Sequence, residues 1–147
     1  MAVDAGLVTG RQARNIITKL WKELARQRLD YRLGLPGNLW PIPNDDMAGP
    51  LRPGVFENGG LTHSQARHFL AAMYRVGLKK EADHLLEQMC MSLADGSAFG
   101  GTETGQEWRR RDGEYCGYEG ILSDQFGVLA VAIDRYGQHH QRGNRII

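Results

Sequence analysis

Along four stretches of the chain the apolar residues recur at intervals of three and four, the period of a helix with one buried face. From about Thr9 to Gln27, Ala13, Ile17, Leu20, Trp21 and Leu24 fall on one side, with Lys19, Lys22, Glu23 and Arg26 on the other. Thr9 and Gln12 have the spacing of a capping box at its start. Thr62 to Val76 predicts a second helix, with Ala66, Phe69, Leu70, Met73 and Val76 inward, Thr62 and Gln65 as a further capping box, and Gly77 as its stop. Lys79 to Leu93 predicts a third, burying Ala82, Leu85, Leu86, Met89 and Leu93 and ended by Asp95-Gly96. The connection between these two is so short that they must run antiparallel. A last helix, from Leu122 or Ser123 to Tyr136, is expected to bury Phe126, Leu129, Ala130 and Ile133.

The periodicity breaks twice. Asp30 to Gly54 carries Pro36, Pro41, Pro43, Pro50 and Pro53, which are excluded from helix interiors and central strands. It also carries Tyr31, Leu33, Leu35, Leu39, Trp40 and Ile42, too apolar a set for a disordered linker. An ordered loop folded on a helical body is the expectation. Gly96 to Gly120 is the second break, rich in glycine, acids and aromatics. No run reads as a β-strand. The predicted fold class is therefore all-α: antiparallel helical hairpins in one domain spanning residues 1–147, with long irregular loops at one rim. If the helices alternate in direction, both loops feed helix starts on that rim, and Glu57 and Glu119, each just before a helix, face a common cleft.

A formal net charge of +1 over 147 residues leaves no electrostatic footprint for nucleic acid or an anionic membrane. No apolar run approaches the roughly 20 residues of a membrane helix, and the start Met1–Gly6 lacks the marks of a secretory signal. Cys90 and Cys116 have no metal-ligand spacing, and Cys90 falls on a helix pattern as a small core residue. The chain reads as reduced and cytoplasmic. Residues 138–147, with His139-His140, read as a flexible tail rather than a metal site.

The chemistry concentrates beside the second helix. Gly59 and Gly60 permit a tight bend that carries Glu57 and Asn58, and His63 follows at the helix start. Loops held by a rigid scaffold are where binding groups gather, although Glu57 and Asn58 equally suit an ordinary turn. Carboxylates beside Trp and Tyr on glycine-rich loops are the equipment of a carbohydrate site: rings cover the C–H faces of a sugar, and acids and amides bond its hydroxyls. Trp40 can stack on a ring or anchor its loop by burial, and burial is the favoured reading. No nucleophile elbow, P-loop or dinucleotide fingerprint occurs, and Cys116 with His63 is a weak nucleophile–base pair.

Two segments, Gly54–Asp83 (GVFENGGLTHSQARHFLAAMYRVGLKKEAD) and Trp108–Gly137 (WRRRDGEYCGYEGILSDQFGVLAVAIDRYG), resemble the C-terminal part of the six-hairpin (α/α) toroid glycosidases, the superfamily of glucoamylase-like, trehalase-like and glycogen-debranching-like enzymes. The Asn-Gly-Gly bend and the Asp-Gly…Tyr-Glu-Gly segment carry the resemblance. It implies a barrel of paired helices with its active site at one end, and acid and base carboxylates on different hairpins, commonly with an inverting outcome; no cofactor and no metal are expected. Carried over, Glu57 matches the bend before Asn-Gly-Gly, and Asp112 and Glu119 the late acidic loop; any of the three can be the base or bind sugar hydroxyls, with Glu57 and Glu119 taken as catalytic and Asn58, Trp108 and Asp112 as sugar contacts, and His63, Tyr118 and Trp40 stand as further candidate substrate contacts. Glu119 can also serve as a dipole partner of the last helix. A full toroid needs twelve helices, more than 147 residues hold. The expectation is a partial (α/α) toroid, an incomplete portion of a larger barrel, whose apolar flanks self-associate or pair with the missing part. The functional expectation is a glycoside hydrolase-like protein or fragment acting on a glucoside by carboxylate acid/base chemistry. The alternative is a non-catalytic α-hairpin module that binds carbohydrate or a protein partner.

Overall fold

The computed structural model describes residues 1–46, 52–99, 106–119 and 123–137, and of residues 99, 106, 118, 119 and 123–125 the backbone alone. The expected tail 138–147 lies outside the described residues.

Helix α1 spans Gly10–Arg26 and buries Ala13, Ile17 and Leu24, with Leu20 and Trp21 half-buried beside them. Thr9 occupies its N-cap position in extended conformation, but its side chain makes no capping hydrogen bond. Helix α2, His63–Arg75, is capped by the Thr62 hydroxyl, which accepts from the Ser64 N–H at 3.2 Å. Its end is a Schellman motif: Leu78 N–H donates to the Met73 carbonyl and Gly77 N–H to that of Tyr74, with Gly77 at φ 83°. Three residues then lead into α3, Lys79–Ala94, which lies back along α2. Helix α4, Ser123–Ala132, runs on into a π-helical turn, Ile133–Gly137.

One core joins the four helices. Ile17 and Leu24 of α1, Leu70 and Met73 of α2, Leu85, Leu86 and Met89 of α3, and Val128 and Val131 of α4 pack into it. Here α4 differs from its expected orientation: Phe126, Leu129 and Ile133 face outward, and Gly127, Val128 and Val131 face inward. The helix is apolar on nearly every side, so its periodicity selects no face. Gly127 selects it. A Cβ there would lie 3.4 Å from Cβ of Arg67 and 3.6 Å from Cα of Ser64, so the glycine lets α4 press against the first turn of α2.

The fold is not all-α, and the expected partial toroid does not hold. The two irregular segments pair through the stretch just before α2 into a four-stranded antiparallel sheet: β1 Leu35–Pro36, β2 Leu61–Thr62, β3 Gln106–Arg109 and β4 Tyr115–Glu119, in that order. Leu35 pairs with Thr62, Leu61 with Arg109, and Trp108 with Cys116. β1 and β2 are each two residues long, too short to show any alternation, with glycines on both sides of β1 and before β2. The sheet leads directly into the N-terminus of α2 and fixes what precedes that helix.

Candidate functional site

The bend before α2 is the most constrained part of the backbone. Val55 and Asn58 form an isolated antiparallel bridge, and Phe56 sits at φ 47°, a left-handed conformation that costs a bulky residue about 1–2 kcal/mol. Gly60 N–H donates to the Phe56 carbonyl at 2.8 Å, and Gly54 N–H to that of Asn58 at 2.7 Å. Neither Gly59 nor Gly60 has room for a Cβ: the first would lie 2.6 Å from Pro41, the second 2.6 Å from the Phe56 carbonyl. Glu57 is the exposed tip of this bend.

Two side chains lock the bend to its surroundings. The Asn58 amide is buried and reads the Ile42 backbone at both ends, its Oδ1 accepting from N–H at 2.7 Å and its Nδ2 donating to the carbonyl at 2.9 Å. Arg111, in the β3–β4 hairpin, donates to the carbonyls of Gly59 at 3.0 Å, Asn38 at 3.4 Å and Leu39 at 3.3 Å, and to Gln27 Oε1 at 2.9 Å. Gln27 in turn donates to the Leu39 carbonyl at 2.7 Å. The end of α1, the 38–42 loop, the bend and the hairpin are thus one clamped unit.

Trp40 sits on that unit and is 58% exposed, not buried as its loop-anchoring role would have required. It lines a cleft of about 520 Å³ between α1, the 35–42 segment and α2. Gln65 and His68 contribute polar groups to the same cleft, and Asp4 Oδ2 holds His68 Nδ1 at 2.8 Å. Gly37, a further lining residue, packs on the bend: a Cβ on it would lie 3.2 Å from Cα of Glu57 and 3.1 Å from Cη2 of Trp108.

The other expected contact residues are placed differently. Trp108 is buried, 4% exposed, with its ring against Gly37 and Gly117. His63 is fully buried: its Nε2 lies 3.1 Å from the Arg32 carbonyl, its Nδ1 has no partner, and burial, with the nearby Arg109 charge as a lesser cause, pulls its pKa from 6.5 to about 4. It is therefore a neutral imidazole donating through Nε2. Asp112 is exposed in the hairpin turn, its Oδ1 accepting from the Glu114 N–H at 3.1 Å and its Oδ2 2.8 Å from Arg110 Nη2. The side chains of Tyr118 and Glu119 lie outside the described ones; the Glu119 backbone ends β4, paired with Gln106. Cys116, three positions earlier in β4, is hydrogen-bonded by the Phe56 backbone.

Sequence reasoning passed over Arg111, Gln27 and the α1–α2 cleft. The Asp112-Gly113 turn signal held the usable clue to Arg111, since a turn there folds the segment back as a hairpin. Arg109 is fully buried, bonded to the Ala98 carbonyl and 5.1 Å from the Tyr115 ring centroid, whereas Arg110 is exposed.

Among the described residues no group of three or more His, Cys, Asp or Glu is placed to hold a metal ion, and no helix is long and apolar enough to cross a membrane. Comparison with protein-family models, with curated proteins and with solved structures found no match.

Proposed function

We propose that this chain contributes a carbohydrate site of the glycoside hydrolase type, in which Glu57 is one acid/base carboxylate and Trp40 the sugar platform. The observation that carries this reading is the bend itself. An exposed carboxylate is held at the tip of a turn whose first central residue, Phe56, is strained, and the strain is maintained by Asn58, Gly59, Gly60 and Arg111. Strain over-determined in this way clusters at sites where a side chain must be pre-positioned. The exposed Trp40 on the same clamped unit supplies the apolar face that a pyranose ring requires.

Glycosidic hydrolysis needs a second carboxylate. Glu119 is the candidate. Its backbone ends β4, the strand tied to the bend through Cys116. The similarity of the Asn-Gly-Gly and Tyr-Glu-Gly segments to glucoside-acting enzymes supports the same assignment and a glucoside as substrate. Unbridged Cys90 and Cys116 support a reducing, cytoplasmic setting.

The test is turnover of a panel of glucosides by the wild type, Glu57→Gln and Glu119→Gln, with amide NMR spectra of each. The expected result is loss of turnover by at least a hundredfold in both variants, with the spectrum and melting temperature unchanged. A second reading, sugar binding without turnover, is favoured by the engagement of Asn58, His63, Trp108 and Asp112 in the fold rather than at a cleft. Sugar-dependent shifts around Trp40 and Glu57 without hydrolysis would select it. A spectrum indifferent to every sugar would eliminate both.

A further inference from the structure

Resting on the carbohydrate reading, we propose that the α1–α2 cleft is an apolar subsite: it holds the aglycone of an amphipathic glycoside whose sugar lies at the Trp40–Glu57 rim. The cleft's volume of about 520 Å³ is that of a small-molecule site. Its walls are Ile17, Leu20 and Leu24 from α1 and Phe69 and Ala72 from α2. Such walls cannot replace the hydrogen bonds that a buried sugar's hydroxyls would lose, so a saccharide filling the cleft is disfavoured. An aromatic ring or short alkyl chain makes no such demand and gains from burial.

Asn38, Gln65 and His68 are the polar side chains of the lining besides the Trp40 indole, and Gln65 is exposed. Trp40 lines the cleft while more than half exposed. Gln65 and His68 stand on α2, and Asp4 fixes the His68 ring through Nδ1, which fixes where Nε2 points. Gly37 sets the cleft beside the Glu57 bend. It lines the first, and a Cβ on it would fall 3.2 Å from the Glu57 Cα. A ligand that spans this junction carries its apolar part on the helix side and its sugar on the bend side. The glycosidic oxygen then lies between them, on the Glu57 side.

Calorimetric titration with methyl, phenyl and hexyl glucosides of both anomers, and with hexanol, tests this. The phenyl and hexyl glycosides should bind roughly ten- to a hundredfold more tightly than the methyl one, from the apolar area buried. Leu20→Asn, on the half-buried cleft wall, should remove that advantage while leaving methyl glucoside affinity unchanged. Leu20→Met, which keeps an apolar wall, should retain it, so a general folding defect is separable. Equal affinities for all three glycosides would overturn the subsite and leave the sugar site standing. Hexanol binding as tightly as hexyl glucoside would overturn it too, since the sugar would then contribute nothing. Binding of none would remove the sugar reading along with the subsite.

Discussion

Asn58 and His63 carry polar side chains into places that water does not reach, and each makes a separate prediction. Asn58→Ala removes both bonds to Ile42 and leaves that residue's N–H and carbonyl without their partner. The cost should be about 2–3 kcal/mol in urea unfolding, from two lost bonds and the groups left unsatisfied. Glu57→Gln, at the exposed tip one residue away, should change stability by less than about 0.5 kcal/mol. A small effect at Asn58 would mean that the amide does not clamp the loop. For His63 the folded pKa is depressed from 6.5 to about 4, so the unfolded chain takes the proton first as pH falls. Stability from this residue is intact above about pH 6.5, declines between 6.5 and about 4, and is flat below, a loss of about 3 kcal/mol in all. The carboxyls of Asp83 and Asp95, held below 3.8 by hydrogen bonds from Arg135 and Ser97, act in a lower window. Unfolding measured across pH 7 to 4 should show the slope in the wild type and a flat line in His63→Gln. No slope in the wild type would refute the buried neutral imidazole. The sequence displays both residues as bonding groups beside a glycine bend. It does not display that Ile42 and Arg32, distant along the chain, have already engaged them.

Two glycines measure how closely the elements approach. Gly34 precedes β1 at φ 107°, and a Cβ on it would lie 2.5 Å from the carbonyl of Thr62, the N-cap of α2. Gly10 opens α1 at φ 59° with nothing within 4 Å of the same atom. Gly10→Ala should therefore cost only the backbone strain, about 1 kcal/mol. Gly34→Ala adds a backbone collision that no rotamer can relieve, and should cost more than about 3 kcal/mol or prevent folding. Similar melting points for the two would show that β1 does not pack on β2 as closely as described. α1, α2 and α3 are legible in the sequence nearly to the residue, because each has one apolar face, and the last two are joined by a connection too short for anything but a reversal. The sheet is not legible as a whole. β1 and β2 make a single short antiparallel contact, Leu35 and Pro36 against Thr62 and Leu61, and periodicity needs more than two residues. The β3–β4 hairpin was within reach: Asp112-Gly113 is a turn signal between two aromatic runs, and Gly113 adopts φ 90°. That hairpin carries Arg111, so missing the hairpin also hid the clamp at the candidate site.

At the scale of the whole molecule, α4 is held by the turn that follows it and by its inner face. Arg135 reaches Asp83 on α3 with Nε at 2.9 Å and Nη2 at 3.1 Å, and Tyr74 of α2 donates to the same carboxylate at 2.8 Å. Phe126, Leu129, Ile133 and Tyr136 are left on the outside, exposed by 61%, 44%, 65% and 44%. Their spacing of three, four and three places them along one stripe, so they form a continuous apolar face rather than isolated surface residues. Such a face lowers its free energy by being covered, and a second copy of the chain is always available to cover it. We therefore expect concentration-dependent association, seen in sedimentation velocity as a rise in mean mass between micromolar and high-micromolar protein. Phe126→Gln with Ile133→Gln should abolish that rise, and because neither side chain is in the core, the pair should cost less than about 1 kcal/mol of stability. Association surviving the double variant would move the contact to another surface, with the exposed Trp40–Ile42 segment beside the cleft as the next candidate. On the proposed carbohydrate reading, glucoside binding separates the two cases, since a contact through Trp40 would compete with sugar and a contact through α4 would not.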